Sequence, residues 1–102
     1  MAQDIHIIGR RFNWTRDSVD FRFAWGDLEF RGAVSYSAQL EHFGLRDGYP
    51  MCATGQVACF DDNMDIILDI ACRKIDAGDL NDGGEAFVDS CDVAEPAFHM
   101  AA

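Results

Sequence analysis

The sequence predicts an α+β fold: a two-layer sandwich whose small antiparallel sheet, an N-terminal hairpin plus a C-terminal strand, is covered by one short and one long helix. Three observations carry this. Val19, Phe21, Phe23 and Trp25 alternate with Asp20, Arg22 and Ala24, and Leu28, Phe30, Gly32 and Val34 alternate with Glu29, Arg31 and Ala33; this is the period of half-buried strands. Apolar residues then recur at helical spacing from about Gln56 to Ala77. Near the end, Ala86-Phe87-Val88 into Cys91 returns to strand chemistry.

In chain order, Ile5-His6-Ile7-Ile8 is a short apolar run that can add a strand at the start. The two alternating runs are joined by Gly26-Asp27, which makes them a β-hairpin. Its apolar face needs a cover, while Arg22 and Arg31 on the polar face find local partners in Asp20 and Glu29. Ser35-Tyr36-Ser37 offers an N-cap, and Ala38 to Phe43 gives about two helical turns. Gly44 sits at the left-handed stop, with Leu45 placed to pack back on Leu40. Arg46 to Pro50 reads as a loop.

On a wheel of about 100° per residue, Val57, Phe60, Met64, Ile67, Leu68, Ala71 and Ile75 of the long helix share the core face. Asp61, Asp62, Asp65, Asp69 and Asp76 gather on an adjoining stripe, which Asp79 and Asp82 continue past the stop at Gly78. Arg73 and Lys74 lie in the last turns, where the helix dipole favours cations. Cys59, Ile66 and Ile70 fall on a third side, opposite the core; another element of the chain or a second copy must cover them. Asp79 to Gly84 is turn chemistry, Glu95-Pro96 ends the last strand, and 97–102 is a loose tail.

With 102 residues and 49% hydrophobic side chains, the chain is the size of one domain (1–102, core about 14–93). Its N-terminus lacks the pattern of a signal peptide, and no apolar run reaches the roughly eighteen residues of a membrane span. Four cysteines without an export signal read as reduced thiols, which makes the expected compartment cytoplasmic. The net charge of −10 and a single lysine argue against direct binding to nucleic acid or to an anionic membrane. That charge is uneven. The first fifty residues hold seven acids against six arginines; the rest hold eleven acids against Arg73 and Lys74.

Few motifs carry chemistry. Asp61-x-Asn63-x-Asp65 begins like a calcium loop, but Ile66 and Cys72 stand where Gly and Glu are required. Asp79-x-Asn81-x-Gly83-Gly84 has the glycine but ends on Ser90, so a plain turn is expected. Cys52, Cys59, Cys72 and Cys91 form no close pair of the kind zinc sites use. His6, His42 and His99 are scattered, and neither a nucleophile motif nor a phosphate loop is present. No metal, cofactor or enzymatic activity is expected.

The segment Ser37 to Gly44 (Ser-x-x-Leu-x-x-Phe-Gly), the helix end Ala71 to Lys74 (Ala-x-x-Lys) and a Gly-rich turn into a strand follow one another in order. In these the chain resembles the bacterial domain of unknown function 1488 family, over roughly Trp14 to Val93. The resemblance implies a two-layer α+β fold and no established activity. The aspartates along the helix depart from that family.

The functional expectation is a non-catalytic protein-interaction module presenting its aspartate stripe to a partner protein with a basic surface. The candidate partner-binding residues are Asp61, Asp62, Asp65, Asp69, Asp76, Asp79 and Asp82. Cys59, Ile66 and Ile70 are the candidates for self-association as a homodimer. The alternative is a nucleic-acid mimic that blocks a nucleic-acid-binding machine, as phage-encoded anti-restriction or anti-CRISPR proteins do. Aspartate is a modest helix former, and i,i+4 repulsion among Asp61, Asp65 and Asp69 costs a few tenths of a kcal/mol per pair. A cost retained in the sequence is compatible with a basic partner.

Overall fold

A computed structural model describes residues 5–45 and 52–93. The elements run β1 (Ile5–Asn13), β2 (Ser18–Trp25), β3 (Leu28–Ser35), α1 (Tyr36–His42), α2 (Cys52–Asp62), α3 (Met64–Asp76) and β4 (Ala86–Val88). The fold is α+β, with one four-stranded sheet in the order β1-β2-β3-β4. The hairpin closes Trp25 against Leu28 around Gly26, whose φ of +63° suits the turn. The N-terminal run is a nine-residue strand, bulged between Ile7 and Gly9.

Two features of the sheet differ from expectation. β4 pairs parallel to β3, with Gly32 opposite Ala86 and Val34 opposite Val88, so the sheet is mixed rather than antiparallel. A parallel return needs a crossover of at least a dozen residues, and the helices between β3 and β4 supply it. Alternation alone cannot give strand direction. The last strand also ends at Val88, and Cys91 lies on a helical turn over 90–93 rather than in the strand.

One sheet face is the core. Val19, Phe21 and Phe23 of β2 and Val34 of β3 pack with Phe60, Ile67, Leu68 and Ala71 from the helices. Val57, Met64 and Ile75 lie against this cluster, so the expected core face of the helical segment is the one buried. Phe21 stacks on Phe60 with ring centroids 5.0 Å apart, joining sheet to α2. Gly32 stands opposite Phe21 because the ring lies over it: a Cβ there would sit 2.6 Å from the ring and 3.2 Å from the Ala86 carbonyl oxygen.

Ser35 caps α1, its hydroxyl accepting from the Ala38 N–H at 3.0 Å. Gly44 at φ +81° ends the helix, and the Leu45 N–H returns to the Gln39 carbonyl. The expected loop from Arg46 to Pro50 and the expected tail at 97–102 lie outside the described residues, as does the Glu95-Pro96 stop.

The long helix expected from Gln56 to Ala77 is two helices broken at Asn63. Asn63 leaves helical geometry (φ −120°, ψ 20°), and its Nδ2 donates to the Cys59 carbonyl at 2.9 Å and the Phe43 carbonyl at 3.3 Å. An asparagine that offers its amide to nearby backbone competes with the helix ladder. The break is short: Ile67 N–H still reaches the Asn63 carbonyl at 3.1 Å.

Candidate functional site

All seven candidate partner-binding aspartates are exposed, but the break at Asn63 divides their stripe between two helices and the following turn. Three of the seven have cations of their own. Arg10 on β1 clamps Asp61 through two bonds, Nε to Oδ1 at 2.8 Å and a terminal guanidinium nitrogen to Oδ2 at 2.6 Å. These bonds hold the Asp61 carboxyl below its ordinary range. Asp69 pairs with Arg73 one turn on at 2.7 Å, and Asp79 with Lys74 at 2.9 Å. Asp62, Asp65, Asp76 and Asp82 form no ion pair among the described residues.

The positions of these four separate structural from unexplained charge. Asp65 lies in the first turn of α3, where the positive end of the dipole favours an acid. Asp62 and Asp76 are the last residues of α2 and α3, where the dipole is negative and an acid is disfavoured. Asp62→Asn with Asp76→Asn is therefore expected to stabilise the fold by about 0.5–1 kcal/mol, a rise of a few degrees in Tm. Differential scanning calorimetry checks the sign.

The three residues expected to form a self-association side do not form one surface. Cys59 and Ile70 are buried within the chain, and only Ile66 is open, at 51% exposure. The Cys59 thiol faces the end of α1, its Sγ 3.3 Å from the Phe43 carbonyl oxygen, and Ile70 belongs to the core cluster. Two helices broken at Asn63 replace the single wheel on which they coincided. Ile66 instead borders a shallow depression at the helix break, with Asp61, Asp62, Met64 and Asp65 around it. That depression is acidic at its rim and apolar at Met64 and Ile66.

Sequence spacing could not show a cluster beside the sheet end, where Ser90 Oγ lies 3.2 Å from His42 Nε2 and also bonds Glu41 Oε1. A hydroxyl has one proton. Donated to the Glu41 carboxylate, it leaves Ser90 accepting from His42, so the imidazole is not placed as a base for this hydroxyl. The cluster ties α1 to the helical turn at 90–93. Beside it, Lys74 Nζ joins Asp79 and Asp92, each at 2.9 Å, and the nearly buried ammonium links the end of α3 to the same turn.

Cys59, Cys72 and Cys91 are free thiols. Burial, with the nearby Asp69 and Asp76 carboxylates, pushes Cys72 up to about 11, which keeps it protonated and weakly nucleophilic near neutral pH. Among the described residues, no three His, Cys, Asp or Glu side chains are grouped to hold a metal, and no helix is long and apolar enough to cross a membrane.

Comparison with known proteins yields no matching family model, no matching curated protein and no matching solved structure.

Proposed function

We propose that the chain is a non-catalytic interaction module that docks a basic partner protein through Asp62, Asp65, Asp76 and Asp82. One observation carries the proposal. Two of these acids end helices, where the fold itself is penalised by their charge, and none has a cation among the described residues. Charge retained against the fold's interest finds its compensation in a partner of opposite sign. The apolar Ile66 beside Asp62 and Asp65 gives such an interface a centre to desolvate.

Nucleic-acid mimicry is the more specific form of the same proposal, and the span of the acids favours it. Asp65 and Asp76 lie near the two ends of α3, and a rise of about 1.5 Å per residue separates them by roughly 17 Å. A protein surface built for several successive phosphates meets charge over a similar length.

The test is quantitative capture of a partner from the source cell by the immobilised chain, compared with a variant carrying Asn at positions 62, 65, 76 and 82. The expected result is a captured protein of basic surface, released by moderate salt and lost from the folded variant. Undiminished capture by the variant overturns the proposal. Duplex DNA or RNA is expected to compete for that partner if the acids mimic phosphates, and to have no effect if they do not.

A further inference from the structure

The sheet face turned away from the helices carries the opposite sign. Registers place Arg11, Asp20, Arg22, Arg31 and Glu29 together on it, on three neighbouring strands, since Arg11 pairs with Asp20, Arg22 with Arg31 and Ala24 with Glu29. Arg11 has an acid, Asp20, across from it, but Asp20 is held by Arg16. Here Arg22 stands directly opposite Arg31, a like-charge pair that costs the sheet stability.

The acids of this face are already engaged. Arg16 bonds Asp20 at 2.9 Å and Glu85 at 2.8 and 3.2 Å. Asp20 also accepts from Asn13 and Ser18, and Glu85 from Asn81. The Arg16 guanidinium, above all, holds the Glu85 carboxyl below its ordinary range. For Asp20, burial pushes upward, but the bonds from Asn13, Arg16 and Ser18 prevail.

The remaining arginines keep donors to spare. A guanidinium offers five N–H groups. Arg22 uses Nη1 on Glu29 at 2.6 Å, and Arg31 uses one nitrogen on the Gly83 carbonyl. Arg11 makes no hydrogen bond or ion pair among the described residues, whereas its neighbour Arg10, on the helix side, binds Asp61. The three border a recess into which Gly9, opposite Arg22, sends no side chain.

We propose that this open face is a second binding site, and that it takes a polypeptide segment bearing several carboxylates through Arg11, Arg22 and Arg31. Planar guanidinium forks suit carboxylates bidentately. Strands about 4.8 Å apart and a two-residue offset of about 6.7 Å along them put Arg11 and Arg31 about 12 Å apart at the backbone, so a segment with several acids engages the set where one carboxylate engages a part of it. The module thereby has two docking faces of opposite sign.

The experiment is fluorescence anisotropy with a labelled oligoglutamate peptide at low ionic strength, with inorganic phosphate and a DNA oligonucleotide as competitors. Binding by the wild type is expected, weakened about tenfold or more in Arg11→Gln/Arg31→Gln. Arg11→Lys/Arg31→Lys is expected to recover part of the loss, and Asp62→Asn/Asp76→Asn to cause none. Absence of wild-type binding, or equal binding by the folded Gln variant, overturns the site; displacement by phosphate or DNA more readily than by unlabelled peptide overturns the assignment of its occupant. Amide shift mapping on the wild type decides independently of any variant: perturbations centred on β1–β3 around Arg11, Arg22 and Arg31 support the site, and perturbations confined to other regions overturn it.

Discussion

Gly32→Ala is expected to destabilise the fold by about 1–3 kcal/mol, although alanine is the better strand residue elsewhere. The added methyl meets the Phe21 ring at 2.6 Å, and that ring is held against Phe60 and Phe23 in the buried core. The Ala86 carbonyl at 3.2 Å blocks retreat on the other side, and it belongs to the β4 strand that pairs with Gly32. Urea unfolding checks the loss as a lower midpoint at unchanged slope. Shrinking the ring isolates the cause: in a Phe21→Leu background the same Gly32→Ala step is expected to cost distinctly less, giving a non-zero coupling in the double-mutant cycle. Equal costs in both backgrounds would place the effect in the backbone instead.

Lys74→Met is expected to cost about 2 kcal/mol, because it keeps the side-chain stem and removes the charge. Lys74 and Asp92 are only 12% and 17% exposed, so Asp92 is left poorly solvated without its cation. The loss spreads through a chain of bonds. Asp92 Oδ2 accepts from the Asp89 N–H, and Asp89 Oδ1 accepts from the Ser35 hydroxyl that caps α1. Lys74 therefore fastens the end of α3, the helical turn at 90–93 and the start of α1 to one another. Chemical denaturation of Lys74→Met and of Lys74→Met/Asp92→Asn separates lost attraction from stranded charge: the second variant is expected to recover part of the stability.

What the sequence could tell depended on how local each cause is. The hairpin, the Ser35 cap and the Gly44 stop follow from residues a few positions apart, and each stands where the pattern puts it. The break at Asn63 was hidden for a physical reason. The apolar steps from Phe60 to Met64 and Ile67 keep the spacing of an unbroken helix, while the amide that breaks it is partly held by Phe43, twenty residues earlier. The pairing of Asp61 was hidden likewise, since Arg10 arrives from fifty-one residues away. Spacing on a wheel grouped five acids, with Asp79 and Asp82 beyond the helix stop, and only tertiary placement divides the seven into three with internal cations and four without one among the described residues. The same wheel grouped Cys59, Ile66 and Ile70, which two helices then separate. The open arginine face was half visible, as alternating polar residues of a hairpin, but the third strand that completes it was a four-residue hint in the sequence.

The acids that lack a cation among the described residues, rather than acidity as such, are proposed to face the partner. Partner affinity at matched ionic strength for two variants of equal charge, Asp62→Asn/Asp76→Asn and Asp61→Asn/Asp69→Asn, decides between the two. A clear loss of affinity is expected for the first pair and a much smaller change for the second. Equal losses would make the effect one of bulk charge, and a loss confined to the second pair would place the partner on the acids that already have cations.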